Sequence, residues 1–165
     1  MLTVKVKKNP NSKTLEKLAK HLKKLKNTKM KFGYFDDSGN HSQSNRSGDT
    51  IPYSALMAWH ELGLGDYPAR PLLTIACQLA QDDFVSGKYT KITKSVISDV
   101  GNNSLHINRL ASDIRDDMKS VFGSDYLQGN SESTIRNKGF DSPLEETGEL
   151  RDNFGYKINN EGVVK

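Results

Sequence analysis

The segment FGYKINNEGVV, residues 154–164, decides the fold class, because its pattern predicts a strand that turns back on itself. Phe154, Tyr156 and Ile158 alternate with glycine and lysine, which is the two-residue period of a half-buried strand. The polar run NNEG that follows is suited to a tight turn, which returns the chain along the two valines. We therefore expect an antiparallel hairpin at this end of the sequence.

Two further strands are predicted near the other end. Residues 2–7, LTVKVK, alternate apolar and polar side chains, and residues 29–36, KMKFGYFD, place three large apolar side chains on one face. Between them, leucines recur at the spacing of a helical stripe, with lysines off the stripe. The leucines are Leu15, Leu18, Leu22 and Leu25, and the lysines are Lys13, Lys17, Lys20, Lys24 and Lys26. The pattern predicts strand, helix and strand, with the amphipathic helix packed through its leucines.

The middle of the chain has helical periodicity. Residues 54–62 form one candidate helix, which stops at Gly63, a residue suited to a left-handed C-cap. A second helix is predicted to begin near Pro71, a third to follow Gly87, and a fourth to cover 104–122. Strands at both ends with helices between them predict one α+β domain of 165 residues. Its small antiparallel β-sheet, built from N- and C-terminal strands, should pack against three to five helices.

Residues 37–50, DSGNHSQSNRSGDT, contain no large apolar side chain and are longer than an ordinary connection. Such a segment has little apolar surface with which to offset the entropy of ordering. We expect a flexible loop, ordered by a partner if at all.

The charge is unevenly distributed. Residues 1–31 hold eleven lysines against one acid, Glu16, a formal charge of +10, while the whole chain carries +4. The remaining residues therefore carry −6. A basic end on an acidic body suits head-to-tail contact between copies, nucleic-acid binding, or a solvated lysine face on a helix. These three interpretations remain open at this point.

Cys77 is the single cysteine, so an intrachain disulfide is impossible and the chain suits a reducing cytoplasm. We expect its thiol to be a small buried core residue. The segment MLTVKVKK does not resemble a signal peptide, and nowhere do about eighteen apolar residues run together as a membrane helix requires. The sequence predicts a soluble protein made in the cytoplasm and without membrane contact.

Candidate catalytic and metal-binding patterns are weak. His60 and Glu61 resemble the start of a zinc-protease helix motif, but the second histidine that the motif requires is replaced by Leu64. The remaining histidines stand in separate predicted elements, and neither a serine elbow nor a glycine-rich phosphate cradle is present. We therefore expect no enzyme activity, no catalytic residue, no metal and no cofactor.

Two segments of the sequence resemble a known family. Residues 58–73, AWHELGLGDYPARPLL, resemble an "NEFG" helix end followed by "IPARPFL" in small tail-completion and neck proteins of tailed bacteriophages. Residues 133–158, STIRNKGFDSPLEETGELRDNFGYKI, resemble the C-terminal block T-I-R-x-K-G-x-D-x-P-L-x-x-T-G-x-L-R-x-S-I-x-Y of the same proteins. The sequence departs from these patterns at Leu62, at the Leu64-Gly65-Asp66 turn and at Asn153-Phe154.

The resemblance implies a structural virion protein, made in the host cytoplasm, that joins the tail to the head. It implies a homo-oligomeric ring, expected to be a hexamer, that contacts the tail-tube and head-connector or neck proteins and has at most non-specific contact with genomic DNA. Two sets of residues carry these expectations. The expected assembly interface is Tyr67, Pro68, Arg70, Pro71 and Arg151, and the expected structural motif is Trp59, Gly63, Thr147, Gly148 and Leu150.

Residues 68–71, Pro-Ala-Arg-Pro, form what we call the PARP segment. Its two prolines should make it a stiff, protruding loop in which Arg70 is exposed and offers its guanidinium to carboxylates. A purely structural turn is the alternative for this loop. For residues 147–151, TGELR, helix capping and core packing by Leu150 are the favoured roles, and an intersubunit contact through Arg151 is the alternative. The competing function is a small basic nucleic-acid-binding protein, although aromatic residues are not interleaved with the lysines and no known binding motif is present.

Overall fold

The computed structural model, which describes residues 12–44, 48–65, 68–145, 147–159 and 161–165, has short strands toward both ends of the chain and six successive helices between them. The elements in chain order are α1 (Ser12–Lys26), β1 (Met30–Gly33), β2 (Asn40–Ser44), β3 (Thr50–Pro52), α2 (Tyr53–Leu62), α3 (Leu72–Ser86), α4 (Thr90–Ser98), α5 (Asn103–Lys119), α6 (Glu132–Lys138), α7 (Glu149–Asn153) and β4 (Gly155–Ile158). This is the α+β class that the sequence predicts.

The predicted pairing of early and late strands is confirmed. β1 and β4 run antiparallel in a register that joins Met30 to Ile158 and Gly33 to Gly155. The predicted C-terminal hairpin is also present, because Tyr156 and Val164 exchange backbone hydrogen bonds of 2.9 and 3.0 Å. The strand predicted at residues 2–7 lies outside the described residues.

The core lies between this sheet and the central helix α5. Phe154 is completely buried, and its ring makes edge contacts with Tyr34 and Phe122 at centroid distances of 5.7 and 6.2 Å. One face of α5 is buried throughout, and it packs against α3, α4 and β4. Its buried apolar residues are Ile107, Leu110, Ala111, Ile114 and Met118. The four mid-chain helices predicted from periodicity are thus confirmed, with ends shifted by a few residues.

The segment 37–50 is more regular than the sequence predicts. A single 3-10 turn, Asp36–Ser38, leads into the antiparallel pair β2 and β3. Ser38 is 1 % exposed, and its hydroxyl accepts a hydrogen bond of 2.8 Å from the Phe35 amide. In the described residues, backbone pairing and polar side chains supply the contacts that apolar residues would otherwise make, and the flexibility of the segment stays a prediction. Residues 45–47 lie outside the described residues.

Two further expectations are corrected. Cys77 is exposed on α3 instead of buried, because it lies about 100° around the helix axis from Ala76, outside the face that buries Leu72 and Ala76. The helix α6 was not predicted, because it has no buried residue and therefore no apolar stripe. Ser131 caps it by accepting a hydrogen bond of 3.3 Å from the Thr134 amide.

Helix α1 is present as predicted, but its leucine stripe is only partly packed. Leu25 packs against the core, and the buried His21 places its Nε2 atom 3.0 Å from the Val96 carbonyl oxygen of α4. The other three leucines of the stripe are exposed. Among the described helices, none is long and apolar enough to cross a membrane.

Candidate functional site

The end of α2 and the start of α3 are joined by a carboxylate cap. Helix α3 begins at Leu72 after Pro71, whose side chain has no oxygen to cap the first amides of the helix. Glu61 of α2 supplies the acceptor, with Oε2 2.8 Å from the Leu73 amide and Oε1 3.0 Å from the Thr74 amide. The Thr74 hydroxyl also donates to Oε1 at 2.7 Å. The carboxylate next to His60 is therefore engaged in helix capping.

Gly63 lets the chain reverse after α2. It has φ 64° and ψ 47°, and its amide donates to the Trp59 carbonyl oxygen as a left-handed C-cap, as predicted. A Cβ atom at this position would lie 2.8 Å from the Ala69 backbone nitrogen. The glycine thus allows the PARP segment to pass directly over the helix end, where the Arg70 amide donates to the His60 carbonyl oxygen at 2.6 Å. Trp59 packs half-buried against the core, which supports its predicted structural role.

Arg70 is buried, with 7 % of its surface exposed, so the prediction of an exposed guanidinium is wrong. Its Nε atom donates to the Gln128 carbonyl oxygen at 2.8 Å. Its Nη2 atom donates at 3.2 Å to the Gly129 carbonyl oxygen and also at 3.2 Å to Asn130 Oδ1. The fork of donors that could bind a partner's carboxylate instead ties the PARP segment to the chain ahead of α6.

Burial determines the direction in which the pKa values of Arg70 and His60 are shifted. Desolvation lowers the pKa of the Arg70 guanidinium, an effect opposed by the nearby Asp141 carboxylate. Desolvation, followed by repulsion from Arg70, lowers the pKa of His60 to about 4. At neutral pH His60 is therefore uncharged and Arg70 retains its charge.

The remaining residues of the predicted interface are placed as follows. Pro68 is exposed, Pro71 is half-buried, and Tyr67 lies outside the described residues. Leu62 and Leu64, near Pro68 in the chain, are 66 % and 47 % exposed. The exposed residues that the structure describes in this turn are thus uncharged, whereas the interpretation based on Arg70 predicts a charged surface.

The TGELR segment begins α7 and fixes it to the core. Gly148 is the N-cap residue and has φ 78°, a conformation that favours glycine. The Thr147 hydroxyl accepts a hydrogen bond of 3.3 Å from the Glu149 amide, so threonine assists the cap from the position before the N-cap residue. Leu150 is buried and its carbonyl oxygen accepts a hydrogen bond of 2.6 Å from the Tyr34 hydroxyl. Arg151 is exposed and pairs with Glu145 of the same chain.

Glu149 fastens the β2–β3 hairpin to the first turn of α7, a role that the sequence analysis did not assign to it. Its Oε2 atom accepts hydrogen bonds from the Ser42 amide at 3.1 Å and from the Tyr53 hydroxyl at 3.2 Å. His41 Nε2 lies 3.6 Å from the same oxygen. Hydrogen bonds from Ser42, ahead of those from Tyr53, lower the pKa of the Glu149 carboxyl. A carboxylate in the first helical turn was the available signal, since it commonly stabilises that end.

The two segments at residues 58–73 and 133–158 are linked in space. Arg70 of the first segment donates to the side-chain oxygen of Asn130, and the backbone N–H of Asn130 donates to Asp141 Oδ1 of the second segment at 2.9 Å. Comparison with protein-family models, with curated proteins and with solved structures found no match for this chain. Among the described residues, no group of three or more histidine, cysteine, aspartate or glutamate side chains could hold a metal ion. The arrangement acts as a set of structural ties.

Proposed function

We propose that the chain is a structural virion protein of a tailed bacteriophage, a ring-forming tail-completion or neck subunit that joins the tail to the head connector. The observation that carries the proposal is the link between the PARP segment and the second family-like segment through Arg70, Asn130 and Asp141. A motif whose members lie far apart in sequence but bind one another is expected when the motif defines a rigid scaffold. No catalytic role is proposed for it.

The exposed residues around this scaffold suit contact with other proteins. Leu62 and Leu64 present apolar surface beside Pro68, whose ring stiffens the turn and lowers the entropy lost on binding. Arg151 remains exposed at the second segment. We therefore place the assembly interface on Leu62, Leu64, Pro68 and Arg151, and we remove Arg70 from it.

The test is to disrupt the gene with a stop codon in the phage that encodes it and to image the lysate by electron microscopy. We expect filled heads and complete tails that are not joined, and supplying the protein from a plasmid should restore joined, infectious particles. Antibody labelling of restored particles should mark the junction. Joined particles in normal yield without the protein would reject the proposal.

A second function, non-specific binding of nucleic acid, is favoured by the exposure of the α1 lysines. All six have exposed side chains and lie on a helix with one acidic residue, Glu16. They are Lys13, Lys17, Lys20, Lys23, Lys24 and Lys26. Such a surface can attract phosphate groups without reading sequence. Sequence-specific DNA binding at physiological salt, with no defect in particle joining after gene disruption, would favour this function over the first.

A further inference from the structure

Helix α1 exposes an apolar surface that the rest of the described chain leaves uncovered. Leu15, Leu18 and Leu22 are 63 %, 37 % and 44 % exposed. We call these three residues the leucine face. The helix is anchored near its C-terminal end through His21 and Leu25, while the leucine face stays exposed from Leu15, near the N-terminal end, to Leu22. Adjacent exposed leucines at helical spacing are typical of a docking surface.

The leucine face belongs to a strongly basic helix. Six lysines against Glu16 give α1 a formal charge of +5, whereas residues 32–165 carry −6. A partner that covers the leucines should therefore offer apolar surface surrounded by carboxylates. The same chain contains such a surface.

The C-terminal end of α3 exposes Phe84 and Val85, which are 46 % and 89 % exposed. The Phe84 ring packs against Tyr89, with 5.2 Å between ring centroids, and the Tyr89 hydroxyl donates to Asp117 Oδ2 at 2.5 Å. This packing holds the apolar pair at the edge of α5. We call Phe84, Val85 and the carboxylates around them the acidic end.

The carboxylates of the acidic end outnumber its cations. Lys88 is shared between two of them, with Nζ 2.8 Å from Asp83 Oδ2 and 2.9 Å from Asp117 Oδ1. Asp113 lies close enough to act on the Tyr89 hydroxyl, and Asp82 is exposed next to the apolar pair. The aspartates are Asp82, Asp83, Asp113 and Asp117, and Lys88 pairs with two of them, Asp83 and Asp117.

We propose that the leucine face of one subunit docks on the acidic end of a second copy of the chain. The inference rests on the proposed function, because it names the contact through which a ring would propagate. The two surfaces lie at opposite ends of α4: α1 is anchored at Val96 near its C-terminus, while Phe84 and Val85 precede its N-terminus. Two different surfaces that bind each other form a head-to-tail contact, which closes into a ring when the rotation between subunits permits.

The experiment breaks each surface separately and then mixes the variants. The α1 variant carries Leu15→Gln and Leu22→Gln, which remove apolar surface without changing charge. The α3 variant carries Asp82→Lys and Val85→Lys at exposed positions. Leu105→Gln, at a position that is 66 % exposed and belongs neither to these two surfaces nor to the proposed assembly interface, is the matched control. Circular dichroism and thermal unfolding verify that all variants fold.

Sedimentation velocity over a concentration series gives the readout. We expect the wild type and the control to form oligomers larger than dimers, and each double variant alone to associate at least about tenfold more weakly. An equimolar mixture should form a one-to-one complex and nothing larger, because one intact leucine face can meet one intact acidic end. Higher salt should weaken this complex, since part of the attraction is between charges.

Several results would overturn the inference. The wild type could stay monomeric at its highest soluble concentration, or the α3 variant could assemble as well as the wild type. The equimolar mixture of the two variants could also form no complex. Capture of monomeric wild type, but not the α1 variant, by phosphatidylglycerol vesicles or duplex DNA would assign the leucine face to lipid or nucleic acid instead. Normal joined particles made with the α1 variant would reject this contact alone, whereas normal particles without the protein would reject the proposed function.

Discussion

Arg70 changes from an expected contact residue to a structural one when its surroundings are known. Its guanidinium satisfies two backbone carbonyl oxygens and the Asn130 side chain inside the subunit. Replacing it with alanine would remove three hydrogen bonds from a charged donor in a partly buried place, a cost of about 3 kcal/mol.

We therefore predict that Arg70→Ala lowers the free energy of unfolding by about 3 kcal/mol, measured by urea denaturation. Arg109→Ala, at an exposed position of α5, should change it by no more than about 0.5 kcal/mol. Arg70→Lys should remain destabilising, since an ammonium group cannot reproduce the geometry of the planar fork. Equal stability of the two alanine variants would contradict this assignment.

Glu61 provides a second test at the residue scale. Because its carboxylate accepts hydrogen bonds from two first-turn amides of α3, Glu61→Ala should destabilise the fold by about 1–2 kcal/mol. Glu61→Gln should destabilise the fold less than Glu61→Ala, because the glutamine side chain retains one acceptor oxygen but loses the charge. Glu161→Ala, at an exposed position outside the helices, is the control in the same thermal-unfolding series. A Glu61→Ala protein as stable as the control would show that the cap is dispensable.

His60 makes stability depend on pH. Its folded pKa of about 4 lies below the ordinary histidine value of 6.5, so the unfolded chain takes up a proton at higher pH than the folded chain. Stability should consequently fall as pH decreases from about 6.5 to about 4, by about 2 kcal/mol after allowance for partial exposure. The His60→Gln protein should lack this component when denaturation is measured at both ends of the range. Parallel pH profiles for the two proteins would contradict the prediction.

At the scale of elements, the β2–β3 hairpin depends on one carboxylate. Glu149 accepts from the Ser42 amide, so Glu149→Ala should accelerate hydrogen exchange of that amide while leaving α5 protected. Glu132→Ala, at an exposed position in α6, is the control. Unchanged protection of the Ser42 amide in the Glu149→Ala protein would show that the β2–β3 pair is stable without the Glu149 carboxylate.

The same contact predicts the effect of acid on the hairpin. The folded pKa of Glu149 is below its ordinary value, so its stabilising contribution is present above the unfolded pKa and is lost as pH falls through the folded one.

Hydrogen exchange elsewhere in residues 37–50 should still be fast in the isolated subunit and slow after assembly, since these residues bring little apolar surface. Uniformly slow exchange in the monomer would contradict that part.

At the scale of the whole molecule, the exposed lysines of α1 predict weak, sequence-independent DNA binding. Its affinity should fall steeply with salt, because lysine–phosphate attraction releases counterions, and the logarithmic slope should approach about −0.9 per phosphate contact. Fluorescence anisotropy with two unrelated duplexes measures both properties. Replacing Lys17 and Lys20 with glutamine should reduce the slope by about two. A strong preference for one duplex at physiological salt would reject the prediction.

The sequence by itself determined the class of fold and most of its elements. Alternation at Phe154, Tyr156 and Ile158, helical periodicity through α5, and Gly63 after α2 are local signals, because they depend on neighbouring residues in the chain. Such signals correctly predicted the pairing of early and late strands and the helices between them. They could also indicate that Trp59, Gly148 and Leu150 have structural roles.

The tertiary structure alone decided which polar side chains are free. Arg70 and Glu149 form hydrogen bonds with residues that are distant in sequence. Cys77 is exposed because a different face of α3, the one with Leu72 and Ala76, packs against the core. The leucines of α1 form one stripe in the sequence, yet Leu25 packs against the core while Leu15 is exposed. Periodicity identifies the apolar face of a helix but not how much of that face another element covers, because coverage depends on where the chain returns in space.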